Sequence, residues 1–482
     1  MTVTSSKWAV AFNRFGLGAR AGESAGEGDP QQALLAELAT AGGARLEDPA
    51  LKSTPQILVE VYAYDLRRKM ERDALALGLL ASKAMPEPHV AALLFPEATP
   101  AAAPAAAMAP EQPPQQQAFR ADAKARLASA YAAPIGFVER LTAFWSNHFC
   151  VSVAKSNIGR GGAGAFEREA IRPHVLGRFA DILLAVEQHP VMLNFLDNQQ
   201  SVGPNSVAGH YNQSGLNENL AREILELHTM GVGSGYSQND VTQLAYILNG
   251  WTIAGREGKL GEPGTFVFNA NAHEPLAAVV RGRLYTEDGV AQGEAALGDL
   301  AREPATAEHI ARKFARHFVA DSPDPALVER LAKVFRDTDG DLAALARALV
   351  EDPVAWSAPP TKIRDPWQLT MATFRAFQRD PSDPGPALNA LNVLGMPLWQ
   401  PGGPNGWPDE TAAWTSPEGM KTRVELATQF AHQVKQAPRP LTLVDEVLGS
   451  DVSDATRLAV TRAETVEQAY ALLILSPEFQ RR

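Results

Sequence analysis

The stretch Asn217-Glu-Asn-Leu-Ala-Arg-Glu-Ile-Leu-Glu-Leu-His-Thr-Met-Gly231 sets three carboxylates, an arginine and a histidine beside a Leu/Ile stripe. Ionisable groups at that density are costly to bury, so a helix here either turns them to solvent or lines a site. Asn217 suits an N-cap, and Glu218 puts negative charge at the positive end of the helix dipole. Gly231, followed by Gly233 and Gly235, is a natural stop. At about 100° per residue, Asn219, Glu223 and Glu226 share one face, Glu218, Arg222, Leu225 and Thr229 a second, and Ala221, Ile224 and His228 a third. On α-helical geometry His228 does not project beside Glu223, and a complete metal site on this helix alone is not expected. Glu218–Arg222 and Arg222–Glu226 stand at i,i+4 and read as ordinary ion pairs.

At 482 residues the chain is long enough for two or three ordinary domains or for one large helical body. Its net charge of −11 argues against non-specific binding to nucleic acid or anionic lipid. The only cysteine, Cys150, excludes an intramolecular disulfide and a thiolate zinc cluster, and between Phe149 and Val151 it reads as a small buried hydrophobe. No apolar run is long enough to span a bilayer. Met1-Thr-Val-Thr-Ser-Ser-Lys7 lacks the charged and apolar regions of a signal peptide, so the chain as it stands reads as cytoplasmic, or as exported if a signal has been removed.

Helical periodicity dominates. It predicts helices from Pro55 to Lys83, from Ala118 to Tyr131 and from Pro134 toward Trp145, over 167–196 with a break at Pro190, and over 307–319, 325–337, 340–350, 364–378 and 418–433, with a last one after Thr465. Residues 86–117, rich in Ala, Pro and Gln, read as a disordered insertion. Gln199 to Gly215 is a polar loop of a length more often functional than merely connecting. Ser237-Gln-Asn-Asp240 forms a capping box. Phe266-Val-Phe268 and Ala278-Val-Val280 flank a His273-Glu-Pro275 loop and predict one short β-hairpin within 264–282. The expected fold is mainly α: a single irregular multi-helix domain over 1–482, with two helical lobes facing each other across the polar loops.

Standard catalytic patterns are missing: no G-x-S-x-G elbow, no P-loop, and no second histidine at the H-E-x-x-H spacing after His273-Glu274. Gly159-Arg-Gly-Gly-Ala-Gly164 lacks a preceding strand and reads as a flexible turn rather than a phosphate loop. His309, Arg312, Lys313, Arg316 and His317 crowd one helix and read as a solvated basic face. Glu223 and Glu226 make a poor glycosidase pair, because such carboxylates must flank the bond from different sides.

Many short motifs in one order carry a resemblance: Asn13-Arg-Phe-Gly-Leu-Gly18, Phe144-Trp-Ser-Asn-His-Phe149, Arg172-Pro-His-Val-Leu-Gly177, His189-Pro-Val-Met-Leu-Asn-Phe-Leu-Asp-Asn198, the Asn217 helix, Asn249-Gly-Trp251, Gly395-Met-Pro-Leu-Trp399, Asn405-Gly-Trp407 and Ser476-Pro-Glu-Phe479. On these the chain resembles the bacterial family catalogued as domain of unknown function 1800, nearly end to end. The resemblance brings no established activity with it. Members are often exported with twin-arginine signals, a pattern this N-terminus departs from.

The residues shared with that family suggest one pocket. Glu223 is the candidate general base or ligand, with His148 and His228 as catalytic partners from other elements. Asn147, Asn217, Arg222, Trp251, His273 and Trp407 are candidates for substrate binding, Arg222 by its two-pronged hold on an anionic group. If a divalent metal is bound, His148, Glu223, His228 and His273 are its candidate ligands. Three classes stay open: a hydrolytic or oxidative enzyme, a non-catalytic binder of a polar or carbohydrate ligand with Trp251, Trp399, Trp407 and Trp414 as stacking surfaces, and an assembly or export partner of another protein.

Overall fold

The computed structural model describes residues 7–22, 28–40, 42–76, 112–211, 215–449 and 452–482. Most of the Ala/Pro/Gln-rich insertion lies outside the described residues. Its last residues do not: Pro114–Gln117 already form the first turn of the helix Pro114–Ala132. Proline opens a helix readily, since its ring presets the helical φ and its missing N–H is one the first turn leaves unpaired.

That device recurs. Asp29-Pro30, Asp324-Pro325, Asp352-Pro353, Asp365-Pro366, Ser416-Pro417 and Ser476-Pro477 each set a side-chain acceptor against a first-turn amide with proline just inside. Each such cap contributes about 1 kcal/mol. Helices accordingly fall close to where periodicity places them, at Pro325–Asp337, Leu342–Glu351, Pro366–Ala376, Pro417–Gln433 and Val466–Leu475. The fold is mainly α, and the capping box at Ser237 and Asp240 closes in both directions.

Two local readings are corrected. Gly159–Gly164 is not a flexible turn but the body of the helix Asn157–Phe166, capped by Ser156. Its glycines cost helix propensity, about 1 kcal/mol each relative to Ala, but they let neighbours approach. A Cβ on Gly162 would lie 2.5 Å from Val191 Cγ2, and one on Gly164 2.2 Å from Asp122 Cβ. The two predicted strands exist but do not pair with each other: Phe266–Phe268 pairs with Trp251–Ile253, and Ala278–Val280 with Arg283–Tyr285. The second ribbon closes through the two-residue turn Arg281-Gly282, both at positive φ (53° and 78°), the geometry that matches strand twist and favours a local hairpin over a distant partner.

Apolar side chains divide into a large cluster running from Trp8 to Trp399 and a smaller one, Leu369 to Phe479, built by the C-terminal helices; Phe430 packs on both. Buried arginines tie distant segments together across these clusters. Arg14 donates to Ala355 O (2.6 Å) and Ala358 O (2.7 Å), Arg140 to Gly16 O (3.0 Å), and Arg364 to Phe479 O (2.7 Å) and Asn13 Oδ1 (2.6 Å). Arg375 donates to Gly18 O (2.8 Å), Ala133 O (2.6 Å) and Pro134 O (2.5 Å), thereby neutralising the carbonyl end of the helix Pro114–Ala132. The Asn13–Gly18 motif is therefore a receptor for these guanidiniums. Gly18 adopts φ +92°, and a Cβ there would stand 2.9 Å from Ala372 Cβ.

A second buried network holds the middle of the chain. Arg172 grips Glu139 through two bonds (2.8 and 2.9 Å) and Glu167 through one (3.1 Å), while Glu167 also meets Arg126 (3.0 Å) and the Trp399 indole (3.0 Å). Burial alone would raise the Glu167 carboxyl, but Arg126 and Arg172 hold it below its ordinary range.

Replacing one partner in such a hub strands the others. Arg375→Met removes a fully buried guanidinium and takes the donor from Gly18 O and Pro134 O, while Ala133 O keeps Arg20, so it is expected to cost about 3–5 kcal/mol. Urea unfolding followed by far-UV circular dichroism measures this, and a loss under 1 kcal/mol would mean the staple does not tie the termini together.

Candidate functional site

The helix Pro304–Phe318 carries the basic cluster noted in the sequence, and the structure overturns its reading as a wholly solvated face. Arg312 is exposed and Arg316 reaches outward to Glu410 (2.9 Å), but His309, Lys313 and His317 recur at i,i+4,i+8 and form one inward row. His317 is buried against the Phe144 ring (5.3 Å), and His309 and Lys313 are half-buried. Basic residues at this spacing put their rings and stems on the core side, which charge counting alone does not reveal.

Across from this row the Asn217 segment departs from ideal helix. Asn217 Oδ1 accepts from Asn219 N (2.9 Å), Asn219–Glu223 is α-helical, and Ile224–His228 widens into a π-helical turn. The Ile224 carbonyl accepts from Thr229 N at 2.9 Å and from Thr229 Oγ1 at 2.6 Å, and Gly231 at φ +87° ends the segment. One extra residue per turn brings i and i+5 onto one face. Glu223 and His228 stand five residues apart across this turn, so they diverge less than α-helical geometry implies, and the charge of His228 acts on Glu223. Burial raises the Glu223 carboxyl above its ordinary value, with His228 pulling it back and Glu226 adding to the rise.

His228 is itself fixed by a buried carboxylate: Glu187, fully enclosed, accepts from His228 Nδ1 at 2.7 Å. That bond places the proton on Nδ1 and leaves Nε2 as the basic nitrogen. His148 Nε2 donates to His228 O (3.1 Å), so its Nδ1 carries a lone pair, and that atom is buried without a partner. His309 Nε2 donates to Leu227 O (3.2 Å). The His148 ring centre is 6.3 Å from those of both His228 and His309. Burial lowers His148 well below the ordinary imidazole value, and Lys313 and the neighbouring rings reinforce this. Burial likewise brings His309 down to about 4 and the Lys313 amine down to about 8.

Lys313 links this group to a second one. Its charge is felt by Cys150 on one side and by Asp409 on the other. The Cys150 thiol donates to Gly403 O (3.4 Å) and Pro404 O (3.3 Å), and burial pushes it up to about 12, which leaves it an inert buried hydrophobe as its sequence context predicts. The same loop, 400–409, is clamped by Asn147, which donates to Trp407 O (2.9 Å) and accepts from Trp407 N (2.7 Å). Behind it lies a cavity of about 70 Å³ whose wall includes Arg140, Trp367, Gln368, Trp399, Trp407 and Asp409. His317 Nδ1 donates to Asp409 (3.2 Å) while its Nε2 accepts from Arg140 (3.2 Å), an arrangement that requires a neutral ring. Burial brings His317 down to about 4; although burial opposes it, His317, Lys362 and Arg482 hold Asp409 well below the ordinary carboxylate range.

The structure sets His148 and His228 side by side, their ring centres 6.3 Å apart, with Glu223 earlier on the His228 segment and Asn147 and Trp407 at the adjoining loop. It turns other candidates elsewhere. Arg222 pairs with Glu218 (3.0 Å) and Glu226 (3.8 Å) on the half-exposed side, the ordinary i,i+4 pairs. Trp251 is fully buried beside Phe266 and Gly293, with no face open for stacking. His273 bonds Asn249 O (2.9 Å) and packs on Phe268 in the strand region, and Asn217 serves its own helix. Among the described residues no three His, Cys, Asp or Glu side chains converge as a cation site, so the four candidate metal ligands do not form a ready-made set. Sequence reading missed Glu187, buried in the helix Phe179–Glu187, and undervalued Lys313. The i,i+4,i+8 spacing of the basic row was the available signal for the latter.

Fold and site together define a mainly helical protein with an ionisable interior. Residues 10–481 match the family described as Protein of unknown function (DUF1800), and the chain belongs to that family. No curated protein and no solved structure matches it.

Three imidazoles kept neutral by burial make stability depend on pH. In the unfolded chain each binds a proton near pH 6.5, whereas in the folded chain His309 and His317 do so only near 4 and His148 also below its ordinary value. The unfolded state then holds more protons between those limits, so this contribution is full above about pH 6.5 and lost as pH falls toward 4. Thermal melting across that window is expected to show Tm falling steadily with acidification; a flat Tm would mean the rings are already charged.

Proposed function

We propose that this protein is an enzyme of the hydrolytic class working by acid–base catalysis, with Glu223 and His228 exchanging protons with a small polar substrate. The observation that carries the reading is the Glu187–His228 bond of 2.7 Å at the end of the π-turn that Glu223 precedes. A base oriented by a buried third group, next to a carboxyl whose ordinary value is raised, is the arrangement general acid–base chemistry uses. Glu187 is the positioning residue, since it acts on the substrate only through the imidazole. Lys313, drawn down to about 8, supplies a further proton donor in the neutral range.

A second reading, non-catalytic binding of a polar ligand, is supported by the cavity beside the 400–409 loop. Arg140 Nε, Trp367 Nε1 and Gln368 Oε1 on its wall are buried without partners, two donors and an acceptor in a space large enough for a few waters or one small molecule.

Purified protein assayed against ester, amide, glycoside and phosphoester substrates separates the two. Catalysis predicts turnover of at least one class that Glu223→Gln lowers in kcat by about 10²–10⁴-fold with the melting temperature kept. Turnover that survives Glu223→Gln and His228→Gln unchanged would sink the catalytic assignment, and no turnover on any class would shift the weight to binding.

A further inference from the structure

A second pocket, apart from the acid–base group and independent of that reading, lies where the C-terminal helices meet the main body. It is formed by Pro366–Ala376, Gly385–Val393 and Pro417–Gln433 and has a volume of about 200 Å³. Its depth is apolar, with Leu369, Phe374, Ala427 and Ile474 on the wall. Two guanidiniums, Arg379 and Arg423, line it, and no carboxylate does.

These guanidiniums are held by uncharged hydrogen-bond partners and form no ion pair among the described residues, although the charge of Asp365 acts on Arg423 from beyond ion-pair distance. Arg423, buried at 3% exposure, donates to Gln480 Oε1 (2.8 Å) and to Arg364 O (2.8 Å), both uncharged acceptors. Arg379 lies over the Phe374 and Phe430 rings (5.5 and 5.4 Å) and reaches Gln433 Oε1 (3.2 Å). On the same wall Thr370, 5% exposed, has its hydroxyl buried with no hydrogen-bond partner, although Thr373, a turn further on, back-bonds to Leu369 O. A buried hydroxyl without a partner costs about 1–3 kcal/mol unless something fills the role. Burial also draws Arg423 down to about 10, which marks a cation that a bound anion would relieve.

We propose that this pocket binds a small amphiphilic carboxylate, its anionic head set against the Thr370 hydroxyl and the Arg423 guanidinium and its apolar body along Leu369, Phe374 and Ala427. The size fits: an apolar cavity of about 150 Å³ holds the six carbons of a benzene ring, so about 200 Å³ takes about eight non-hydrogen atoms, most of a medium-chain carboxylate. Apolar walls supply the affinity and the unneutralised guanidiniums supply the sign of charge selected.

Octanoate is the probe, titrated into the full chain by isothermal calorimetry, with octylamine as the equal-length cation. Octanoate is expected to bind saturably at one site, octylamine not at all, and octanoate affinity is expected to fall as pH drops through the carboxylate range. Thr370→Val, nearly isosteric and away from the Arg423 bonds, should weaken octanoate by about tenfold. Ala390→Trp, at the half-exposed rim, should abolish binding while leaving the melting temperature unchanged. Octylamine binding as tightly as octanoate, octanoate binding that survives Ala390→Trp, or the lack of saturable octanoate binding would each overturn the proposal.

Discussion

A guanidinium taken out of water needs acceptors for most of its N–H groups, and this requirement organises the molecule. Arg14, Arg140, Arg172, Arg364 and Arg375 are all at most 2% exposed, and most of the oxygens they find belong to backbone carbonyls or carboxylates far away in the chain. Arg14 reaches across 341 residues to Ala355, and Arg375 across 357 to Gly18. Because a charge this deep is stable only when its partners are all present, the N-terminal motif, the carbonyl end of the Pro114–Ala132 helix and the C-terminal helices must assemble together. Apolar packing supplies the bulk of the driving force, and the arginines decide which surfaces meet.

The same economy shapes the candidate site. The row His309, Lys313 and His317 is tolerated inside because burial keeps the two imidazoles neutral and draws the Lys313 amine down to about 8, and because His317 is wedged between Arg140 and Asp409. On the opposite wall the π-turn Ile224–His228 stores a register change that ordinary helix would not allow. Wider turns are less favourable than α-helix, so they persist where surrounding structure holds them. Here Thr229 bonds twice to the freed Ile224 carbonyl and Glu187 anchors the ring at the end of the turn. Two other π-turns, Ala11–Phe15 and Glu167–Ile171, contain Arg14 and Glu167, so each widened turn carries at least one member of a buried ionic group.

Much of the fold is legible without coordinates because its signals are local. Asp-Pro and Ser-Pro pairs announce helix starts, apolar periodicity gives helix lengths, and the Ser237 capping box and the Cys150 environment read correctly. The candidate site was legible only in part. Of the three residues selected as one group, His148 and His228 lie side by side, and Glu223 stands five residues before His228 on the same segment. Arg222 was offered as a clamp on an anion because its chemistry suits that task, yet its i,i+4 partners Glu218 and Glu226 claim it. Trp251 and His273 carried the right residue types, but packing draws them into the strand region.

What the sequence determined by itself is whatever depends on neighbours in the chain: the helical class, most helix starts, the ion pairs along one face, and family membership through an ordered set of motifs. Tertiary structure alone decided the matters that depend on what packs opposite. A glycine-rich run became a helix because four other segments press on it, two strands found partners other than each other, and a basic row turned inward because aromatic rings and a carboxylate awaited it. The π-turn between Glu223 and His228 formed for the same kind of reason. The energy that favours α over π within one turn is small, and the buried bonds to Glu187 and Ile224 are large enough to reverse it.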